Sequence, residues 1–280
     1  EGKYQYMVTD YPGTIGLRFN FINGGTSGLM SNVKIRKAIS YSIDREEMID
    51  AVYGRYNPAY SYVAPAITFN GSSYRSQVGE VIEDEYNEYV GDPDKIVALF
   101  QEGLDELGVE TPIEDITLTY LTSGSTTEVQ AEREYIQQSL EETLGLTVEL
   151  SVAGDNSLFI ADRNEGNYDF FLGGWYSDYN DPLDFLYTNY TDAYGMSFGG
   201  YSNTDYDALA DQLVGETDMD KRLDIYKQME QILLLDDCAF APIYYATKQV
   251  LLQNWVKDYR TSSFGASAEF IWTYIDGKNQ

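Results

Sequence analysis

The sequence contains no histidine. The side chain that most often serves as general base and as metal ligand is therefore missing. Cysteine is almost absent as well. Cys238 stands alone, which excludes an internal disulfide and any thiolate metal cluster. Its setting, Asp237-Cys238-Ala239-Phe240-Ala241-Pro242, is apolar and reads as a buried, inert thiol. So little cysteine suits an exported bacterial protein or one from an anaerobe, although a cytoplasmic protein can look the same. No run approaches the roughly 20 apolar residues that cross a bilayer. The longest candidate, Ile232-Leu233-Leu234-Leu235, is stopped by Asp236 and Asp237. Positive charge is scarce too: 18 Lys and Arg face 46 Asp and Glu, a net charge of -28. A chain this acidic repels phosphate backbones and anionic lipid, which argues against nucleic acid and membrane surfaces as partners.

Several catalytic motifs are missing. No two glycines are spaced i, i+2, so the dinucleotide fingerprint cannot occur. Neither Gly-Lys pair has a glycine five residues earlier, which excludes a P-loop. Gly195-Met196-Ser197-Phe198-Gly199 matches the Gly-x-Ser-x-Gly pattern, but the sequence has no histidine to serve such a nucleophile. Asp178-Tyr179-Asn180 begins like a calcium loop, but Pro182 and Leu183 break it. One class of enzyme survives inspection, because two carboxylates suffice for a glycosidase. Most acids here are nevertheless spaced as solvated helix faces.

What is present is an ordinary globular hydrophobic share, 43%, and 26 tyrosines. Tyrosine supplies contact area and a hydroxyl at low entropic cost, and it also packs on strands. Leu17, Phe19 and Phe21 alternate with Arg18, Asn20 and Ile22 and predict a strand. From Val33 the apolar spacing is helical, and Asp44 with Glu47 restarts a helix that Gly54 ends. The stretch from Asn57 to Tyr89 is poorly periodic and reads as a long wrapped loop. Asp92-Pro93 opens a helix that Gly108 stops. Then comes a regular alternation: strand 116–121, helix 127–144, strand 146–152, helix 156–164, strand 168–175. This β-α-β-α-β order predicts an α/β lobe with a mainly parallel sheet, which binds ligands at the carboxyl ends of its strands. Two further helices, 206–214 and 220–234, and a strand over 240–252 follow. The tail bears Trp255, Phe264, Phe270, Trp272 and Tyr274 and is expected to pack on something.

One segment stands out, running from Asn167-Tyr168-Asp169-Phe170-Phe171-Leu172 through Gly173-Gly174-Trp175-Tyr176-Ser177-Asp178 to Asp181-Pro182. A buried strand meets two glycines that allow close approach of backbone or ligand, then an indole, then a carboxylate. An aromatic wall with one carboxylate suits a ligand bearing an ammonium group. The same pattern also fits a core tryptophan followed by an ordinary acidic turn.

The chain resembles the C-terminal portion of the solute-binding proteins of peptide and nickel ABC importers, which have a type II periplasmic-binding fold. Val33-Lys34-Ile35-Arg36-Lys37-Ala38-Ile39-Ser40-Tyr41-Ser42-Ile43-Asp44-Arg45 is similar to that family's most recognisable stretch. Pro58-Ala59 with Val63-Ala64-Pro65, then Asp92-Pro93-Asp94-Lys95, resemble the loop and helix that follow it. Tyr168-Asp169 to Asp181-Pro182 resembles the ligand-site strand and turn, and Ala241-Pro242-Ile243-Tyr244-Tyr245 the return to the first lobe.

The resemblance implies a binding protein and not an enzyme, with no cofactor and no metal. Its ligand would be an oligopeptide or dipeptide, or within the same family a nickel chelate, haem or a sugar. Asp178 would pair with a peptide α-ammonium, the backbone at Gly174, Trp175 and Tyr176 would bond an extended peptide, and Tyr245 would line the cleft wall. The transmembrane subunits of an ABC importer would be partners of a monomeric, extracytoplasmic protein, either periplasmic or a cell-surface lipoprotein. Family members are much longer. Residues 27–239 are therefore expected to form a complete C-terminal α/β ligand-binding lobe. Residues 1–26 and 240–280 would be a partial strand segment and a return segment left from a second lobe. The opening Glu1-Gly2-Lys3-Tyr4 is not a signal peptide and reads as a fragment boundary, with any anchor or signal upstream.

Overall fold

In the computed structural model, which describes residues 4–191, 198–264 and 268–278, the chain opens with a long strand, β1 (Tyr4–Phe19). Its outer half alternates exposed and half-buried positions, whereas from Pro12 onward all but Ile15 are buried. α1 (Val33–Tyr41) starts at Asn32, whose side chain accepts the N–H groups of Lys34 and Ile35. α2 (Arg45–Met48) is capped by Asp44, which accepts from Glu47 N, and it continues as a wider turn over Ile49–Tyr53. Gly54 ends that turn in the left-handed conformation.

The stretch expected to be an irregular loop is punctuated by short elements. These are β2 (Asn57–Pro58), the hairpin β3 (Thr68–Phe69) and β4 (Ser72–Ser73), and the helices α3 (Tyr74–Val78) and α4 (Glu83–Tyr89). α4 has Ile82 at its N-cap with no side-chain cap, so no start signal marks it in the sequence. α5 (Pro93–Leu107) begins at the Asp92 cap and ends at Gly108 as expected.

β5 (Thr117–Ser123), α6 (Thr127–Leu144), β6 (Thr147–Ala153), α7 (Asn156–Glu165) and β7 (Phe170–Tyr176) form the predicted β-α-β-α-β unit. α8 (Pro182–Leu186), α9 (Thr204–Gln212), α10 (Met219–Gln231) and β8 (Phe240–Gln253) follow, then the small strands β9 (Val256–Lys257) and β10 (Tyr274–Ile275).

Six strands make one sheet in the order β2-β8-β1-β7-β5-β6. β5 pairs parallel with both β6 and β7, while β1 is antiparallel to β7 and to β8. The four strands β5 to β8 therefore point the same way, as a mainly parallel α/β lobe requires, with β1 inserted against them. Helices α1, α5 and α6 cover one face through a core that includes Leu17, Phe19, Ile35, Phe100, Ile136 and Phe170. α8 to α10 and the 59–82 stretch build a second core around Tyr62, Phe185, Tyr206, Tyr226, Met229 and Phe240. Gly103 lets α5 press on α1, since a Cβ there would lie 2.6 Å from Ile35 Cγ1.

The stretch Val33–Arg45 owes its character to packing. Arg45 is fully buried and donates from Nε to the carbonyls of Ala59, at 3.1 Å, and Pro242, at 2.8 Å. Arg36 Nε donates to the Asp237 carbonyl at 3.1 Å. These cations join α1 and α2 to the entrance of β8, which satisfies carbonyls that burial would otherwise strand.

The inner halves of β1 and β8 are strands of the same six-stranded sheet as β5 to β7. Only their outer halves, Tyr4–Asp10 against Thr247–Gln253, leave it as a two-stranded ribbon. In the tail, Phe264 packs against the second core, but Phe270, Trp272 and Tyr274 are all more than half exposed. Two of those aromatics pair within the tail, Phe270 with Tyr259 and Trp272 with Arg260.

Candidate functional site

β7 is where the sheet offers a site. Along one edge it pairs with β1 over its whole length, from Phe19↔Phe170 to Gly13↔Tyr176. On its other edge β5 meets it only at Tyr120↔Phe170 and Leu121↔Phe171. Among the described residues, Leu172 to Tyr176 have no strand on that second edge. Their backbone groups there are open to a further strand.

At Gly174 it is backbone that makes the close approach. A Cβ on Gly174 would sit 1.9 Å from the Thr14 carbonyl oxygen, so Gly174 is demanded by the close passage of β1. Trp175 then turns toward the second core, while Tyr176, on the opposite face, is half exposed over Gly13.

The turn after β7 is anchored tightly. Ser177 N donates to the Pro12 carbonyl at 2.7 Å. Asp184, 5% exposed, accepts both the Trp175 indole N–H and the Asp178 backbone N–H on the same oxygen, each at 2.9 Å. Asp181 caps α8 through Leu183 N at 2.8 Å and accepts the Tyr226 hydroxyl at 2.8 Å. The Asp178 side chain is thus held out at the surface on a fixed backbone, and its carboxylate has no protein partner among the described residues.

Beside it, at the carboxyl end of β7, lies a pocket of about 440 Å³ lined by Tyr11, Tyr56, Tyr176, Ala246, Thr247 and Lys248. The Tyr11 and Tyr176 rings approach to 5.7 Å. Behind this wall Tyr56 stacks on Tyr244 with centroids 4.5 Å apart, and Tyr53 contacts both. The Tyr53 hydroxyl donates to Glu132, whose carboxyl is pushed up to about 7 by burial, against the lowering effect of a bond from Tyr244. Arg55 lies over the Tyr56 ring and is paired with Glu128.

Of the residues singled out from sequence, Gly174, Trp175, Tyr176 and Asp178 are brought together. Tyr245 is not among them. It is 4% exposed, lies in the second core and donates its hydroxyl to Glu80 Oε2 at 2.6 Å. Its neighbour Tyr244 points to the pocket side instead. Sequence reasoning missed Tyr11, Tyr56, Lys248 and Asp184. Only Asp184 carried a signal, as a second acid within reach of Trp175 after the turn.

Asp169, part of the same segment, is structural. It accepts from Ser27 N, Ser27 Oγ and Thr119 N at 2.7–2.9 Å and ties the loop after β1 to β5, while burial raises its pKa. Among the described residues no cluster of three or more His, Cys, Asp or Glu could hold a metal ion, and no helix is long and apolar enough to cross a membrane.

Comparison with known proteins adds to this geometry. The family model described as bacterial extracellular solute-binding proteins, family 5 Middle, matches residues 1–197. The oligopeptide-binding protein OppA of Bacillus subtilis is 31% identical over 82% of this chain, which covers 39% of that protein. The dipeptide-binding protein DppE of the same organism is 30% identical over 88% of the chain, covering 42% of its length. The solved structure of Listeria monocytogenes OppA bound to peptide superposes with a TM-score of 0.76 at 30% identity, over 96% of this chain and 50% of that one. The chain thus spans about 40% of the length of the curated relatives it matches.

Proposed function

Because the chain belongs to family 5 of the bacterial extracellular solute-binding proteins, we propose that it holds a short peptide, non-covalently and outside the cytoplasm, for uptake through an ABC importer. What supports a peptide is the open edge of β7, Leu172 to Tyr176, leading directly to the unpartnered carboxylate of Asp178. An extended peptide adds to that edge as a strand, bonding through backbone groups that are the same in every sequence. Its α-ammonium meets Asp178 as a charge-assisted hydrogen bond. The tyrosine pocket takes a neighbouring part of the ligand, since aromatic walls with few polar groups suit side chains of varied shape. The protein acts as a carrier, and its monomeric state and its importer partners form part of the same proposal.

The site is open in this chain, and in this proposal a second lobe closes over it when ligand binds. That sets the magnitudes. An ion pair at an exposed carboxylate contributes about 0–1 kcal/mol, whereas losing one member of a desolvated pair costs about 2–5 kcal/mol. The test is to titrate a free-amine tripeptide and its N-acetylated twin against the parent chain and Asp178→Asn. The 280-residue chain should bind near the millimolar range, about 4 kcal/mol, and lose up to about fivefold for the free amine only. A longer protein with a closing lobe should lose roughly 30-fold or more. Equal losses for both peptides would remove Asp178 from the site.

A further inference from the structure

The tyrosine pocket contains a charge that an extended peptide backbone does not use. Lys248 Nζ is shut off from solvent and has no hydrogen-bond partner among the described residues. It is a lysine in a lining that otherwise consists of Tyr11, Tyr56, Tyr176, Ala246 and Thr247, with no carboxylate. Taking an ammonium out of water without a partner costs several kcal/mol, and native proteins keep few such groups without a use for them.

Among the described residues no carboxylate is bonded to Lys248 Nζ. On β1 the register partner of Lys248 is Thr9, whose hydroxyl is engaged with Thr261 at 3.0 Å. Asp10, opposite Thr247, accepts from Asn57 Nδ2. Glu128 is taken by Arg55. Glu132 stands behind the tyrosine wall, bonded to Tyr53, and its burial favours the neutral form, so it opposes an incoming anion only weakly. The hydroxyls of Tyr11 and Tyr176 make no hydrogen bond among the described residues and are free to donate.

We propose that Lys248 and the tyrosine pocket recognise a carboxylate on the ligand, either an acidic side chain of the bound peptide or its C-terminus. This rests on the peptide reading for the ligand class. The net charge of -28 repels anions at long range, so a carboxylate is held here only if a local cation outweighs that field. A desolvated ammonium does so, because its attraction is little screened. Tyr176 lies in the pocket wall two residues before Asp178, which links the pocket to the proposed ammonium site along the chain.

The test uses the 280-residue chain, the variant Lys248→Met and three peptides followed by NMR titration. These are Ala-Gln-Ala with a C-terminal amide, Ala-Gln-Ala with a free C-terminus, and Ala-Glu-Ala with a C-terminal amide. The peptide whose carboxylate reaches Lys248 should bind the parent more tightly than the neutral amide and lose about tenfold in Lys248→Met, about 1.4 kcal/mol. The neutral amide should bind both proteins equally. Which carboxylate shows the loss assigns its source. Without ligand, Lys248→Met should raise Tm, because it removes a buried charge that has no partner. A lower Tm would make Lys248 a structural residue and overturn the proposal. Carboxylate-blind binding would also overturn it while leaving the peptide reading intact. Failure of all three peptides to bind the parent at millimolar concentration would overturn both.

Discussion

The Trp175 indole N–H and the Asp184 carboxylate are bonded at 2.9 Å, and the same oxygen also holds the backbone N–H of Asp178. The position of the proposed ammonium-binding carboxylate thus depends on a buried acid six residues further on. Trp175→Phe keeps the ring and deletes the donor, leaving Asp184 short of one partner in a nearly dry setting. Losing such a bond costs about 1–3 kcal/mol. The denaturation midpoint should fall accordingly, and exchange of the Asp178 amide should quicken. An unchanged exchange rate at that amide would show that the turn is held by its other contacts alone.

Glu230 is fully buried and satisfied from four directions. It accepts from Tyr62 N at 3.2 Å, Val63 N at 3.0 Å and the Tyr74 hydroxyl at 3.0 Å, and it pairs with the Arg75 guanidinium. Glu230→Gln leaves Arg75 buried without a counter-charge, which should cost about 3–5 kcal/mol in urea unfolding. A double variant, Glu230→Gln with Arg75→Met, should recover part of that loss. If it is no more stable than the single variant, the damage comes from the lost backbone bonds and not from the stranded cation.

Glu132 makes stability depend on pH. Burial pushes its carboxyl from 4.5 up to about 7, so the folded chain holds this proton more tightly than the unfolded chain. Its contribution is therefore full below about pH 4.5 and is lost as pH rises to about 7, beyond which the cost of the buried anion stays constant. Glu132→Gln should raise Tm at pH 8 and change it little at pH 4.5, a difference of about 3 kcal/mol in stability. Equal effects at both pH values would contradict the assignment.

Much of the fold was legible because its signals are local. The caps Asp44 and Asp92, the stops Gly54, Gly108 and Gly145, and the alternation of β5, α6, β6, α7 and β7 all lie in short windows and were placed within a few residues. What escaped is non-local. β8 is buried on both faces from Phe240 to Ala246, so no polar alternation shows which tyrosine turns to which core. The exposed tail was misjudged because apolar content alone does not say what covers it.

The candidate site was legible where it is continuous in sequence, from Gly174 to Asp178, and illegible where three segments converge. Tyr11, Tyr56 and Lys248 come from β1, the loop before β2, and β8, and nothing in their own windows marks them as neighbours. Gly174 is legible as a point of close approach, and the group it admits is the backbone of Thr14.

The ladder between β1 and β8 loses its register between Asp10 and Thr14, where six strands narrow to two. A bulged pair bends and twists more readily than a wide sheet. The joint where the ribbon leaves the sheet thus falls at Tyr11 to Gly13 and at Ala246, and of these Tyr11 and Ala246 also line the pocket. The pocket wall and the joint share these residues, so a change in the bend of the ribbon changes the shape of the pocket mouth.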